Sequence, residues 1–259
     1  MWKPKIIWPT AWRPILLSNS KRLWRGILHV LLPRTCYACR RDVPFGWERP
    51  LCAACEALVC TPGPLYCQRC GKPLPDGGAH CYQCRGSKAR SFSCKIIRSA
   101  VLFNPPVRAL VHAFKYADRA QLSGYLAQYM VRQWPRYPQL HEAQLIIPVP
   151  LHAKKLKRRG YNQSALLARA LARQLHLPQA EDVLLRVRNT PSQTGFGREG
   201  RLRNMHGAFA CVRPGCVKGK IILLIDDVAT TGATLEGCAE ALKEAGAKKV
   251  MAYTLAREI

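Results

Sequence analysis

The 259-residue chain predicts an α/β fold built on a parallel sheet, with a cysteine-rich metal-binding module at its N-terminal side. Three observations carry this expectation. Ile221, Ile222, Leu223, Leu224 and Ile225 form an unbroken apolar run, which suits a strand buried on both faces, because a half-exposed strand alternates. Around that run, apolar strand-like segments alternate with helical patterns in the order that right-handed crossovers require. Ten of the thirteen cysteines lie between Cys36 and Cys94, which separates a cysteine-rich head from the rest. The resulting division is residues 1–34, 35–94 and 95–259.

The N-terminal stretch is basic, with nine Lys or Arg before the first acid, Asp42, and the first segment carries Trp2, Trp8 and Trp12 among prolines. Ser20 suits the N-cap of a short amphipathic helix, in which Leu23, Trp24, Ile27, Leu28 and Leu31 oppose Lys21, Arg22, Arg25 and His29. Packing on its own protein is the plain reading of that helix, and a lipid or partner surface the sharper one. Its apolar stretches are broken by prolines and basic residues and lack a cleavage pattern, so they do not read as a secretory signal. No run reaches the roughly 18 apolar residues of a membrane span. We therefore expect a cytoplasmic, non-transmembrane protein with reduced thiols.

Four Cys-x-x-Cys pairs follow: Cys36 and Cys39, Cys52 and Cys55, Cys67 and Cys70, Cys81 and Cys84. Each pair lets two thiolates reach one ion from a tight turn, and two pairs complete the tetrahedral sulfur shell of Zn²⁺. Eight ligands predict two structural zinc sites. Pairing in simple succession and crossed pairing both satisfy the spacing. Cys60 and Cys94 are left over as ordinary thiols.

In the third segment, residues 95–103 read as a strand and residues 107–116 and 122–134 as helices, with a proline-punctuated linker at 135–138. Residues 145–150 form a short apolar strand ending at a rigid turn. That turn opens onto His152, Lys154, Lys155, Lys157, Arg158 and Arg159, then a helix to about Leu175. Strands at 183–187 and 207–212 flank a loop over 188–204 containing Arg198. Gly195, Gly197 and Gly200 match a dinucleotide fingerprint only formally, since no apolar strand precedes them. After residues 221–225 come a helix at 235–245 and a last strand at 249–256.

The residues after Ile225 are the most informative. Asp226 and Asp227 end the strand, and Thr230, Thr231, Gly232, Ala233 and Thr234 form a turn of small hydroxyl residues leading into the helix. Such a turn offers backbone N–H groups, hydroxyls and a helix N-terminus to one anion. A ligand with one phosphate and a vicinal diol satisfies both halves, the carboxylates accepting from the ribose hydroxyls. A plain capped helix, with Thr231 or Thr234 as N-cap, is the alternative.

The formal charge of +26 implies a polyanionic partner. Its distribution is uneven. Residues 145–220 hold 15 Lys or Arg against 3 Asp or Glu, whereas residues 221–259 hold 4 against 6.

The strand-Asp-Asp-x-x-Thr-Thr-Gly-x-Thr stretch resembles the phosphoribosyl pyrophosphate (PRPP) motif of the type I phosphoribosyltransferases. The cysteine-rich head, Phe114-Lys115-Tyr116, Pro148 to His152, Arg159 to Gln163, the 188–204 loop and that motif together make the chain resemble the competence protein F family of DNA-utilisation proteins. The resemblance implies a double zinc ribbon joined to a type I phosphoribosyltransferase fold, and a role in natural transformation. It also implies that Asp226, Asp227, Val228, Ala229, Thr230, Thr231, Gly232, Ala233 and Thr234 bind PRPP with Mg²⁺. His152, Lys154, Arg158 and Arg159 would take the pyrophosphate, and Asp226, Asp227 and Arg198 are the catalytic candidates. Expected partners are PRPP, single-stranded DNA or another nucleic acid, and DNA-uptake proteins. Two other functions fit the residues: a metabolic phosphoribosyltransferase for a base or amine, and a basic single-strand-binding protein whose site takes a terminal phosphate.

Overall fold

The computed structural model describes residues 34–85, 92–116, 119–188 and 205–259. The expected helix near residues 23–31 and the loop carrying Arg198 lie outside these residues.

A four-stranded sheet in the order β1-β6-β5-β2 organises the molecule, with β1 at Cys94–Leu102, β2 at Leu145–Pro148, β5 at Ile221–Ala229 and β6 at Lys249–Arg257. All three pairings are parallel, as the unbroken apolar runs predict. On β5, Leu223 and Ile225 enter one hydrophobic core while Ile222 and Leu224 enter the other, so the strand is buried on both faces. Pro148 ends β2, an edge strand, where the missing N–H costs no ladder bond on one side.

Helices cover both faces. Among the described residues the α-helices of the chain are, in order, α1 (Ala53–Ala57), α2 (Tyr82–Arg85), α3 (Pro105–Tyr116), α4 (Leu122–Gln133), α5 (Ala153–Arg159), α6 (Gln163–Leu175) and α7 (Ala233–Glu244), the first two in the cysteine-rich head. Leu110 and Phe114 of α3, Leu126 and Met130 of α4, and Leu167 and Leu171 of α6 are buried in one core. Leu235, Cys238 and Leu242 of α7 fill the other. Helix α5 has no counterpart in the sequence reading, which left 153–159 as a basic turn. His152 starts it by accepting from the Lys154 N–H at 3.3 Å, and Gly160 ends it at φ +80°.

Two further expectations are corrected. The segments read as parallel-sheet strands around the 188–204 loop form instead a separate antiparallel pair, β3 (Leu184–Arg186) with β4 (Phe209–Cys211). Three residues each are enough for a hairpin-like ribbon packed on α7, where Phe209 lies against Gly237, but not for a central strand. The acids also do not terminate β5, which runs on through Asp226 and Asp227 to Ala229, paired with β6 as far as Arg257.

The cysteine-rich head packs directly on this body. Cys36, Val43, Leu51 and Cys55 share the core that contains α3, α4 and α6. Glu56 of α1 accepts from the hydroxyls of Tyr125 and Tyr129 on α4, which anchors the first half of the head. Among the described residues no helix is long and apolar enough to cross a membrane.

Candidate functional site

At the carboxyl end of β5, Asp226 and Asp227 lie among groups supplied by two other elements, α3 and α6. Ser164, in the first turn of α6, donates its hydroxyl to Asp226 Oδ1 at 2.7 Å. Lys115, in the last turn of α3, pairs with Asp227 at 2.7 Å. The Asp227 N–H donates to Asp226 Oδ1 at 2.9 Å. Lys115 is aimed by its neighbours: Phe114 is fully buried, and its carbonyl accepts from the Tyr161 hydroxyl at 2.6 Å. Asn162 caps α6 by accepting from the Ser164 N–H and donates to the Val149 carbonyl, which ties the helix start to the end of β2.

The electrostatics make Asp226 the unusual member. Burial first, and then the adjacent Asp227 carboxylate, push its pKa up to about 7, against the pull of Ser164 and Lys115. For Lys115, burial opposes the charge, but Asp227 outweighs it and the pKa is raised. Asp226 therefore keeps its proton to a higher pH than an ordinary carboxylate, and a cation brought beside it would favour its ionised form.

Directly after β5, Gly232 sits at φ +80° as N-cap of α7 and makes no side-chain cap. Only glycine adopts that conformation freely. The first N–H groups of a helix lack intrahelical partners, and here Thr231 offers only a long 3.4 Å acceptor to Ala233. The turn therefore keeps donors for an anion, beside the exposed Thr230 and the partly exposed Thr231 and Thr234. Neither threonine expected as a plain N-cap fills that position.

The basic turn is distributed differently from its sequence order. Lys154 and Arg158 are exposed, whereas Lys155 and Arg159 turn toward the body. Arg159 lies over the Tyr116 ring at 5.0 Å and donates to Gln163 at 2.6 Å. Burial first lowers the Lys155 pKa, and then the cations Arg186, Arg159, Arg158 and Lys115 lower it further, so these basic groups share one neighbourhood with the acids. Lys115, Lys155 and Ser164 were not chosen from the sequence. Lys115 had a usable signal in Phe114-Lys115-Tyr116; Ser164 had none.

The eight paired cysteines gather in simple succession, Cys36, Cys39, Cys52 and Cys55 in one group and Cys67, Cys70, Cys81 and Cys84 in the other, with each set of sulfurs within 4.8 Å of one another. A tetrahedron with Zn–S bonds of about 2.3 Å has edges of about 3.8 Å. The Cys39–Cys52 and Cys70–Cys81 sulfurs lie 3.8 and 3.7 Å apart, so both groups fit a structural zinc ion. The Cys52 N–H donates to Cys36 Sγ, as a thiolate ligand would require.

Comparison with known proteins agrees with this geometry. Residues 162–259 match the phosphoribosyl transferase domain, and residues 27–85 match the double zinc ribbon domain. The chain is 30% identical over 226 residues to competence protein F of Haemophilus influenzae, covering 86% of this chain and 96% of that protein. It is 29% identical over 232 residues to the DNA utilization protein YhgH of Escherichia coli O157:H7, covering 88% and 99%. It is 28% identical over 215 residues to competence protein ComFC of Bacillus subtilis, covering 81% and 85%. A parallel-sheet phosphoribosyltransferase fold behind a two-centre zinc ribbon, matched almost end to end by these relatives, makes the chain a member of the competence protein F family.

Proposed function

We propose that the protein is a cytoplasmic PRPP-binding component of DNA uptake and utilisation. The observation that carries the ligand is the juxtaposition of Asp226 and Asp227 with a donor-rich turn at the start of α7. In this reading the carboxylates accept from the ribose 2′- and 3′-hydroxyls and bind Mg²⁺. The groups from Thr230 to Thr234 hold the 5′-phosphate, with Val228 and Ala229 as the backbone leading to it. His152, Lys154, Arg158 and Arg159 face the pyrophosphate, joined by Lys155, which the structure turns inward. Arg198, outside the described residues, is the remaining catalytic candidate. Cations opposite a leaving pyrophosphate stabilise the charge that develops on it, so the same arrangement suits phosphoribosyl transfer.

The DNA role is supported by the relatives' names and by the charge of +26, which a small-molecule transferase does not need. Calorimetry of the purified chain with PRPP and Mg²⁺ is the direct test. We expect binding that Asp227→Asn or Thr231→Ala weakens by about 10-fold or more, corresponding to about 1.4 kcal/mol or more. In cells the same substitutions should reduce transformation, and transformation that survives the loss of binding would refute the link. Pyrophosphate release, assayed in parallel, reads turnover.

A further inference from the structure

Two guanidinium groups lie inside the molecule: Arg98 on β1, 3% exposed, and Arg257 at the end of β6, 2% exposed. Among the described residues, neither forms an ion pair with a carboxylate. Arg257 directs Nη2 at Cys70 Sγ, 3.8 Å away, while its Nε and Nη1 have no hydrogen-bond partner. Arg98 donates to the carbonyls of Ile97 and Gln68 at 2.9 and 2.8 Å, covers the Tyr66 ring at 4.9 Å, and lies within electrostatic reach of Cys67. Cys67 and Cys70 both belong to the second tetracysteine group.

An unanswered buried cation is expensive. With neutral thiols, no ion pair among the described residues answers the charge of these arginines. Four thiolates around one divalent ion leave roughly two negative charges, which two guanidinium groups neutralise. The first group has no such need, because Cys39 opens to solvent and water answers its charge.

We propose that Arg98 and Arg257 are the counter-ions of the second zinc centre, and that this centre, rather than the first, holds the sheet edge beside the phosphate turn. The knuckle between Cys67 and Cys70 is fastened to β1 at several points. The Ile97 N–H donates to the Arg69 carbonyl at 2.8 Å. At Gly71, φ +69°, a Cβ would meet the Ile97 carbonyl oxygen at 2.7 Å, so the two backbones touch. Arg69, Cys70, Ile97, Thr231, Gly232 and Glu236 line one small cleft, so the metal knuckle and the phosphate turn border the same space. Loss of the second ion would free the knuckle, strand two cations, and loosen the turn.

The test uses the full zinc-loaded chain and a chromophoric chelator. Arg257→Met should weaken one of the two zinc ions by about 10–100-fold, the range that outer-shell partners show, and leave the other unchanged. Arg257→Lys, which keeps the charge, should fall between. Two ions held as tightly as in the unsubstituted chain, or both weakened equally, overturn the proposal. Hydrogen exchange on the unsubstituted chain gives an independent reading if Arg257→Met does not fold, with amides 36–55 and 67–84 reporting which centre has emptied. Exchange at residues 96–98 on β1, where the Ile97 N–H meets the Arg69 carbonyl, should accelerate only when the second centre empties. Acceleration that follows the first centre, or neither, overturns the proposal. No readout involves PRPP, so the outcome is separate from that of the ligand assignment.

Discussion

Asp226 shows how a single side chain acquires a property that its type does not have. Its folded pKa of about 7 lies above the ordinary carboxylate value, so between about pH 4 and 7 the folded state holds a proton that the unfolded chain has released. Stability contributed at this position is therefore fully present below about pH 4 and lost as pH rises through 7. Asp226→Asn should remove that slope. Chemical denaturation of the ligand-free protein at pH 5 and pH 8 should show the variant gaining on the parent at the higher pH by an amount on the order of a few kcal/mol. Equal differences at both pH values would mean that Asp226 is ionised throughout. The two adjacent acids were plain in the sequence, but the raised pKa of Asp226 was not, because it comes first from burial in the folded sheet, partly offset by Ser164 and Lys115, which lie 62 and 112 positions from the residues they touch.

Elements whose signal is local were legible, and those decided by tertiary contacts were not. The β5 run and the helix after it could be read from apolar periodicity, since each carries its own pattern. The β3–β4 pair could not, because three-residue strands have no period and their partner was settled by packing on α7. Helix α5 was hidden for a different reason: its sequence is nearly all basic, and its boundaries come from the His152 cap and left-handed Gly160 instead of an apolar face. The phosphate turn was legible in type but not in detail, because the N-cap fell on Gly232. Gly232→Ala tests that detail. A left-handed alanine costs about 1–2 kcal/mol, and its Cβ would sit 3.0 Å from Ile97 Cδ1, which can move. We expect a urea midpoint lowered by an amount consistent with that cost, together with weaker PRPP binding than stability alone accounts for. A variant as stable as the parent would show that the turn can adopt another conformation.

At the scale of the whole molecule, the distribution of charge matters more than its sum. Residues 221–259, which carry the acids and the phosphate turn, are close to neutral, while residues 145–220 hold a net excess of basic residues, some of them exposed on α5 at Lys154, Lys157 and Arg158. A pocket that takes one small anion is thus bordered by a surface suited to a long one. If single-stranded DNA lies on that border, its affinity must fall with salt, because each phosphate neutralised releases a counterion. Contact with about five phosphates gives a slope near −3.5 in log affinity against log salt, or about a hundredfold loss between 50 and 200 mM. Lys154→Ala with Arg158→Ala should reduce that slope by about 1–2 without weakening the Asp227–Lys115 pair, which neither residue touches. Competition then separates the two ways in which DNA could use the site. Saturating PRPP that leaves oligonucleotide affinity unchanged places DNA on the border alone, whereas displacement means that DNA and PRPP share groups, either the basic residues of α5 or the turn itself. A salt-independent affinity, or none at low salt, would remove nucleic acid as a direct partner and leave the charge to some other polyanion.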